Sequence, residues 1–517
     1  MPPANDSSVS VGRFVPERSS RLILLVFLVV TANSLTLGYD GNMMNGLLIL
    51  PSFADYLHLN TASEAASSAI MWVGAAVIAP FGGPYLDKFG RKNGLLAATI
   101  ITTVGIILQS AAVNAAMFMI GRLILGMGVG LNSMACPIYA AEIAPTKFRA
   151  LMLGFYYNLF FLGGLVAALV TYRSSQIENT WSWRLPSIAQ IVPSIFCVVI
   201  LPFVPESPRW LIAQGKNELA IKILAIATSN GDTADNQVLT TYSQILETIE
   251  HQKANPASQS WLAAVKTQSN RRRISLALSV AIIVNLSGSI IAAYWLGAML
   301  SQAGVTDTVS QLQINIALNV WCLVCACTGT YFADSIGRRR LAIGSLSWSI
   351  VLLYLVGALT KLYGSSSNKS AVYGTVACIF LFQGGFSLGW ATLIVMYPPE
   401  VLSFSLRANG MAMYTFLSNA AGVFAIFVMP ISLEHIGWKT YIINASFDIL
   451  ELAFIYFFWV ETSKRSLEEI EELFDEKMGL SIENVMEGDN IEGRKTSYVD
   501  VSVLPSDKIN EEKAACT

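Results

Sequence analysis

The sequence predicts an all-α membrane protein with about twelve spanning helices in two similar bundles of six. Three observations carry that prediction: a composition too apolar for water, about twelve apolar stretches of spanning length, and a motif set that occurs twice in one order.

Of the 517 residues, 54% are hydrophobic and only 13% are charged, whereas soluble domains carry about 25% charged residues. Lipid is therefore the expected solvent, and the bilayer an expected partner. The 33 basic and 35 acidic residues nearly balance, so no global field would recruit nucleic acid. His58, His251 and His435 stand far apart in unrelated contexts, which argues against a metal cluster or a histidine-based catalytic site. Six of the seven cysteines lie in apolar runs, Cys322 and Cys325 among them, where they read as small apolar packing groups. No nucleophile-base set or phosphate loop appears, so neither an enzyme nor a cofactor is expected.

A spanning helix needs about 20 mostly apolar residues. Such stretches run near 22–46, 66–86, 94–113, 116–137, 149–171, 185–204, 274–300, 311–333, 341–362, 372–397, 407–431 and 439–460. The first is too long for a cleaved signal peptide and reads as a retained anchor. Arg13, Arg18, Arg21, Lys88, Arg91, Lys92, Lys147, Arg149, Arg338 to Arg340 and Arg407 all fall on one side of these spans. The positive-inside rule makes that side, with both termini, cytosolic.

The resulting organisation is a cytosolic tail over 1–21, a bundle over 22–204, a polar stretch over 205–273, a second bundle over 274–460 and a tail over 461–517. Glu, Lys and Gln favour short amphipathic helices in the polar stretch. In the tail, Ser466 and Glu469 form a capping pattern before Ile470 and Leu473. Asn368-Lys369-Ser370, on the side opposite the basic loops, is a candidate glycan acceptor.

The third observation is the repeat. Asp87-x-x-Gly90-Arg91-Lys92 recurs as Asp334-x-x-Gly337-Arg338-Arg339, an offset of 334 − 87 = 247. Glu142 with Arg149 recurs as Glu400 with Arg407, at 400 − 142 = 258, and Glu206 recurs as Glu461, at 461 − 206 = 255. Three motifs in one order at nearly one offset imply two structurally similar bundles with a central site between them. These charges, with Arg209 after the sixth span, are expected to form interhelix ion pairs on the basic face, made when that face is closed and broken when it opens. Orientation signals and solvated loop charge are the competing explanation for any single pair.

Polar groups inside spans mark the candidate site. Asp40 is one, because a carboxylate in hydrocarbon must be paired or protonated. Gln311, Asn315 and Asn319 fall at successive spacings of four on one helical stripe, and lipid cannot satisfy their amides. Lining a cavity and hydrogen bonding to a neighbouring helix both remain open for them. Asn158, Gln190, Asn285 and Asn419 are further inward candidates. Asp448 and Glu451, three apart in the twelfth span, are expected to be structural, facing a polar groove or Lys439.

Over about residues 20–475 the chain resembles the sugar porter family of the major facilitator superfamily, with fungal lactose-permease-like and hexose transporters the nearest branch. The resemblance rests on Gly38-Tyr39-Asp40, Asp87 to Lys92, Gly121-Arg122, Pro137-Ile138-Tyr139 with Glu142 to Arg149, and Trp183-Arg184. It continues in Pro205 to Trp210, Asp334 to Arg338, Tyr397-Pro398 with Glu400 to Arg407, and Glu461-Thr462 with Ser466 to Glu469. It implies a major facilitator fold acting as a monomer in the plasma membrane, with alternating access to a site for a sugar or polyol. It also implies that Asp40 faces Arg122, so that protonation of Asp40 would release Arg122 and couple a proton to transport; a static ion pair is the alternative.

Two departures limit the inference of cargo. The seventh span reads Val284-Asn285-Leu286-Ser287-Gly288-Ser289-Ile290 where the family commonly has two glutamines before its glycine, and Val395 stands where an aromatic is expected in the tenth span, with Trp390 further back. Transport or efflux of a non-sugar metabolite is therefore a second expectation, and a transport-inactive sugar sensor a third.

Overall fold

A computed structural model describes residues 15–254, 267–364, 369–403, 407–463 and 474. The first half holds span one, Ser19–Ile49; two, Thr61–Phe89; three, Arg91–Ser110; four, Ala115–Ile143; five, Thr146–Ser174; and six, Trp181–Ala189 continued by Ile191–Ile200. In the second half, span eight is Thr308–Ile336, nine Arg338–Tyr363, ten Lys369–Val401, eleven Arg407–Ile436 and twelve Lys439–Phe458. Eleven helices among the described residues are long and apolar enough to cross a membrane. The expected seventh span is the exception. It is broken into Gln268–Leu286, Ser289–Tyr294 and Leu296–Gln302.

Local sequence explains where these helices start and break. Spans two, four and eight begin on the face opposite the basic loops with Asn60, Asn114 and Asp307, whose side chains accept from the backbone N–H of Ser63, Met117 and Ser310. Such caps satisfy orphan donors that lipid cannot. Span six bends at Gln190 because Pro193 has no N–H to give to the preceding turn. Span seven breaks at Gly288, whose φ of +81° suits glycine.

Two main apolar cores form, one in the first half and one centred in the second that also takes in Ala65 and Ala69 of span two. One gathers Val26, Leu95, Leu131, Tyr139 and Met152; the other gathers Ile291, Leu353, Phe382 and Tyr441. Between the halves, span two packs on span eleven and span five on span eight. Gly422 makes the first of these close, since a Cβ there would lie 2.5 Å from the Trp72 ring. Large side chains such as Val192, Leu450 and Phe457 remain exposed on the outside, as a lipid-facing surface requires.

The link between the halves carries three short helices, Pro208–Ala213, Asn217–Ser229 and Asn236–Ala254, with a small core of Leu211, Ile212, Ala220, Ile223 and Ile249. They dock on the first half: Trp210 Nε1 donates to the Asp87 carbonyl, and Ser19 Oγ donates to the Ala227 carbonyl.

Candidate functional site

Three polar clusters occupy positions where lipid cannot solvate them. The deepest lies in the first half. Arg122 is 0% exposed and Asp40 1%, and Arg122 Nη1 donates to Asp40 Oδ1 at 3.3 Å. Gln190 Nε2, at the bend of span six, reaches the same oxygen at 3.4 Å, while Gln109 Nε2 donates to Gln190 Oε1 at 2.6 Å. Gly121 allows this arrangement, because a Cβ there would sit 2.5 Å from the Gln109 backbone nitrogen. The cluster is incompletely satisfied: among the described residues Asp40 Oδ2, Arg122 Nε and Gln109 Oε1 have no partner. A buried ion pair with spare donors and acceptors can change partners when a proton or solute arrives.

The second cluster joins the halves. Asn45 Nδ2 donates to Asn315 Oδ1 at 3.2 Å, and Asn319 Nδ2 donates to the same oxygen at 3.1 Å. Trp72 Nε1 donates to Tyr294 Oη at 3.1 Å, tying span two to the piece of span seven that follows the break. Above them a cleft of about 330 Å³ opens between spans one, two, seven and eight. Asn45, Glu64, Tyr294, Ser301, Thr308 and Gln311 supply its polar lining. This volume lies at the lower end of the roughly 300–1,000 Å³ typical of small-molecule sites. Gln311 Nε2 is already bonded to Ser301 Oγ at 2.9 Å and the Val305 carbonyl at 2.7 Å, so it also pins the outer end of span seven.

The other solute candidates are dispersed. Asn158 Oδ1 accepts from Thr330 Oγ1 at 3.2 Å, and Thr330 meets Thr392 at 3.1 Å. Asn285 Nδ2 donates to Ser418 Oγ at 3.1 Å, while Asn419 Nδ2 donates to the Thr415 carbonyl of its own helix. Trp390 is fully buried against Phe386 and Trp459, away from the cleft lining. Span eight's amides thus divide: Asn315 accepts from Asn45 of span one, Asn319 donates back to Asn315 within span eight, and Gln311 lines the cleft. Asn45, Trp72 and Tyr294 were not singled out in the sequence, although Asn45 follows the rule that selected Asn315.

The third cluster is the duplicated charge set on the basic face. Arg91 makes a forked contact to Glu142, Nε to Oε2 at 3.0 Å and Nη2 to Oε1 at 3.2 Å, and Nη1 reaches Asp87 at 3.1 Å. Glu206 accepts from the backbone N–H of Arg91 and Lys92 at 2.9 and 3.0 Å. In the second half Arg338 makes the same fork to Glu400, at 3.3 and 3.0 Å, and Glu461 accepts from the N–H of Arg338 and Arg339 at 2.8 and 3.2 Å. Each carboxylate caps a helix N-terminus, where orphan donors and the macrodipole favour an anion. Tyr139 and Tyr397 complete the correspondence by donating to the carbonyls of Pro205 and Val460.

Both forks join helices of one half, so separation of the halves need not break them. The sequence expected interhelix ion pairs on this face, and each of these two pairs does join two helices, both of the same half. Arg209 stands on the first short helix of the link. The side chains of Arg149, Asp334 and Arg407, together with Asn368, Ser466 and Glu469, lie outside the described residues.

A family model described as sugar (and other) transporter matches residues 25–474. The chain belongs to this transporter family. A high-affinity glucose transporter 1 of Candida albicans is 30% identical over 410 residues, 76% of this chain and 74% of that one. The glucose transporter GlcP of Staphylococcus epidermidis is 27% identical over 466 residues, covering 89% and 99%, and the MFS-type transporter criB of Aspergillus cristatus is 26% identical over 459, covering 88% and 94%. Among solved structures, the proton:xylose symporter XylE bound to 6-bromo-6-deoxy-D-glucose superposes with a TM-score of 0.73 at 22% identity, over 88% of this chain and all of that one. This sugar transporter family member is therefore an integral membrane transporter of major facilitator fold, not an enzyme.

Proposed function

We propose that this transporter moves a sugar or polyol of about monosaccharide size by alternating access, coupled to protons through Asp40 and Arg122. The supporting observation is that this buried, incompletely satisfied pair adjoins Gly41, where a Cβ would lie 3.6 Å from Tyr294 Oη, a lining group of the polar cleft to which both halves contribute. Proton uptake by Asp40 would free Arg122 and Gln190 to re-pair, which gives the two orientations of the halves different energies. In this reading Tyr294, Asn45 and Gln311 contact solute hydroxyls, and the amide contact of Asn45 with Asn315 closes the path beneath them. The remaining amides, Asn158, Gln190, Asn285, Asn319 and Asn419, serve as further polar lining when the halves rock, with Trp390 behind them. The duplicated charges hold each half rigid as it moves.

The basic face is assigned to the cytosol with both termini, the membrane to the plasma membrane, the acting unit to the monomer, and Asn368 to a glycan. Relatives named as glucose transporters support carbohydrate cargo. The second reading, a non-sugar metabolite or efflux, draws on the occupied amides of span eight and on relatives named only as MFS-type transporters. Uptake of radiolabelled mono- and disaccharides and polyols in a transport-null host, with and without a protonophore, tests both. Saturable, protonophore-sensitive uptake of one carbohydrate is expected. Absence of uptake across the whole panel at verified surface expression would overturn carbohydrate cargo.

A further inference from the structure

The second half contains a buried acidic pair that the mechanism above does not use. Asp448 is 0% exposed and Glu451 5%, and their spacing places them on one face of span twelve. Asp448 Oδ1 accepts from Asn444 Nδ2 at 3.2 Å, so of the two surroundings the sequence left open, a polar groove or Lys439, it is the polar one that Asp448 meets. Asp448 Oδ2 and both oxygens of Glu451 have no hydrogen-bond partner among the described residues.

Among the described residues no cation pairs with them, and the buried Arg273 of span seven stands at the far end of its helix from Leu286, which Asn444 contacts. Span twelve packs on spans nine, seven and eleven, and the membrane-embedded stretches 341–358, 276–286 and 409–433 contain no Lys, Arg or His. Their ionisable groups are Tyr354, bonded to Ser446, and Tyr414, bonded to the Ile394 carbonyl. On span twelve itself Tyr441 donates to Gln302, and Tyr456 is exposed on the outer surface. Two unpaired carboxylates on one face, in hydrocarbon, repel each other and lack solvation, so a bound proton is the missing ligand.

A second observation points the same way. Asn444 Oδ1, Ser287 Oγ and Ser349 Oγ, all on residues more than nine-tenths buried, also lack partners among the described residues. Ser287 lies at the break of span seven. There Asn444 Nδ2 donates to the Leu286 carbonyl at 2.6 Å, and a Cβ at Gly288 would lie 2.7 Å from Asn444 Oδ1. Asn444 thus shares its amide between the acid and the hinge of the piece that carries Tyr294 into the cleft. It stands where Gln190, which links Asp40 to Gln109, stands in the first half, at 444 − 190 = 254, close to the repeat offset.

We propose that Asp448 and Glu451 form a second proton-binding site, in the second half, linked through Asn444 to the bend of span seven at Gly288. The proton adds to a carboxylate oxygen of the pair, and no other bond changes. Losing it leaves two charges facing Asn444, which draws the amide from the Leu286 carbonyl and loosens the hinge. The link from hinge to transport rests on the proposed role of the cleft; proton binding itself does not.

Infrared difference spectroscopy on the purified full chain in liposomes tests the site. A protonated carboxyl band near neutral pH, shifted in D2O, is expected in wild type and in Asp40→Asn. It should be moved by Glu451→Gln or Asp448→Asn, lost when the two are combined, and moved but retained in Glu451→Asp, which keeps the site testable if a neutral variant folds poorly. A band untouched by all three substitutions, or no band in folded wild-type protein, would overturn the proposal. Loss of the wild-type band on adding Na⁺ or K⁺ at constant pH would overturn it in favour of a metal cation. Because the band is read without solute, failure of the carbohydrate assignment in the uptake panel leaves this result standing, and the reverse also holds.

Discussion

Gly90 and Glu206 fit together so closely that a Cβ at Gly90 would lie 2.3 Å from Glu206 Oε2, and Gly337 and Glu461 repeat the relationship at 2.7 Å. Both glycines adopt φ near +97°, at 99° and 95°, with extended ψ of 162° and 149°, a region costing other residues about 1–3 kcal/mol. Gly90→Ala and Gly337→Ala should each lower the melting temperature of the purified protein, through backbone strain and through displacement of the capping carboxylate. Adding Glu206→Ala to Gly90→Ala should cost less than Glu206→Ala alone, because the cap is already displaced. Strict additivity in that cycle would refute the coupling.

The forks Arg91–Glu142 and Arg338–Glu400 lie within single halves, and this sets their expected phenotype. Arg91→Ala leaves the half-buried Glu142 with only Ser207 among the partners described here, and should destabilise the protein by about 1–3 kcal/mol. Arg91→Lys keeps the charge but loses the planar fork, so it should recover only part of that loss. Thermal stability and maximal transport rate per surface molecule separate the two roles: a clamp loses stability first. A normal melting temperature with abolished cycling would instead make the pair a moving gate.

The spans and the charge clamps were legible in the sequence for different reasons. Lipid imposes length and apolarity on each helix, and the repeat exposed the charges because Gly90, Glu142 and Glu206 recur in order with their partners. Span seven was read as continuous because its apolar content hides the break, although Ser287-Gly288-Ser289 is a breaker signal. The amides of span eight were legible as polar groups needing partners, but a solute hydroxyl and Asn45 answer that need equally well. Trp72 and Tyr294 carried no signal, since an aromatic in an apolar span is ordinary until its partner in the other half is known.

Trp72 and Tyr294 hold the halves together beside the cleft through one hydrogen bond. Tyr294→Phe removes it with little change in shape. A net hydrogen bond is worth about 0.5–1.5 kcal/mol, so the balance between open and closed clefts should shift about two- to tenfold. In a cysteine-free background with Ala298→Cys as reporter in the cleft, a membrane-impermeant thiol reagent should label the Tyr294→Phe protein faster by that factor. Equal labelling rates would show that this contact does not bias the cleft.

Asp40 and Arg122 permit the most selective test. In Asp40→Asn the Oδ1 acceptor for Arg122 and Gln190 is kept while the negative charge is lost, so the side chain resembles a protonated Asp40. If the pair couples protons, solute counterflow in proteoliposomes should survive, while accumulation driven by an imposed pH gradient should disappear. If the pair only stabilises the fold, a guanidinium buried without its counter-charge should cost about 3–5 kcal/mol, lowering the melting temperature and removing counterflow as well. Asp40→Glu keeps the charge and the titratable group on a longer arm, so it should retain some accumulation at reduced rate. Measured side by side, an Asp40→Asn protein that still concentrates solute against a gradient would remove Asp40 from coupling and leave the carboxyls of span twelve as the other buried acids among the described residues.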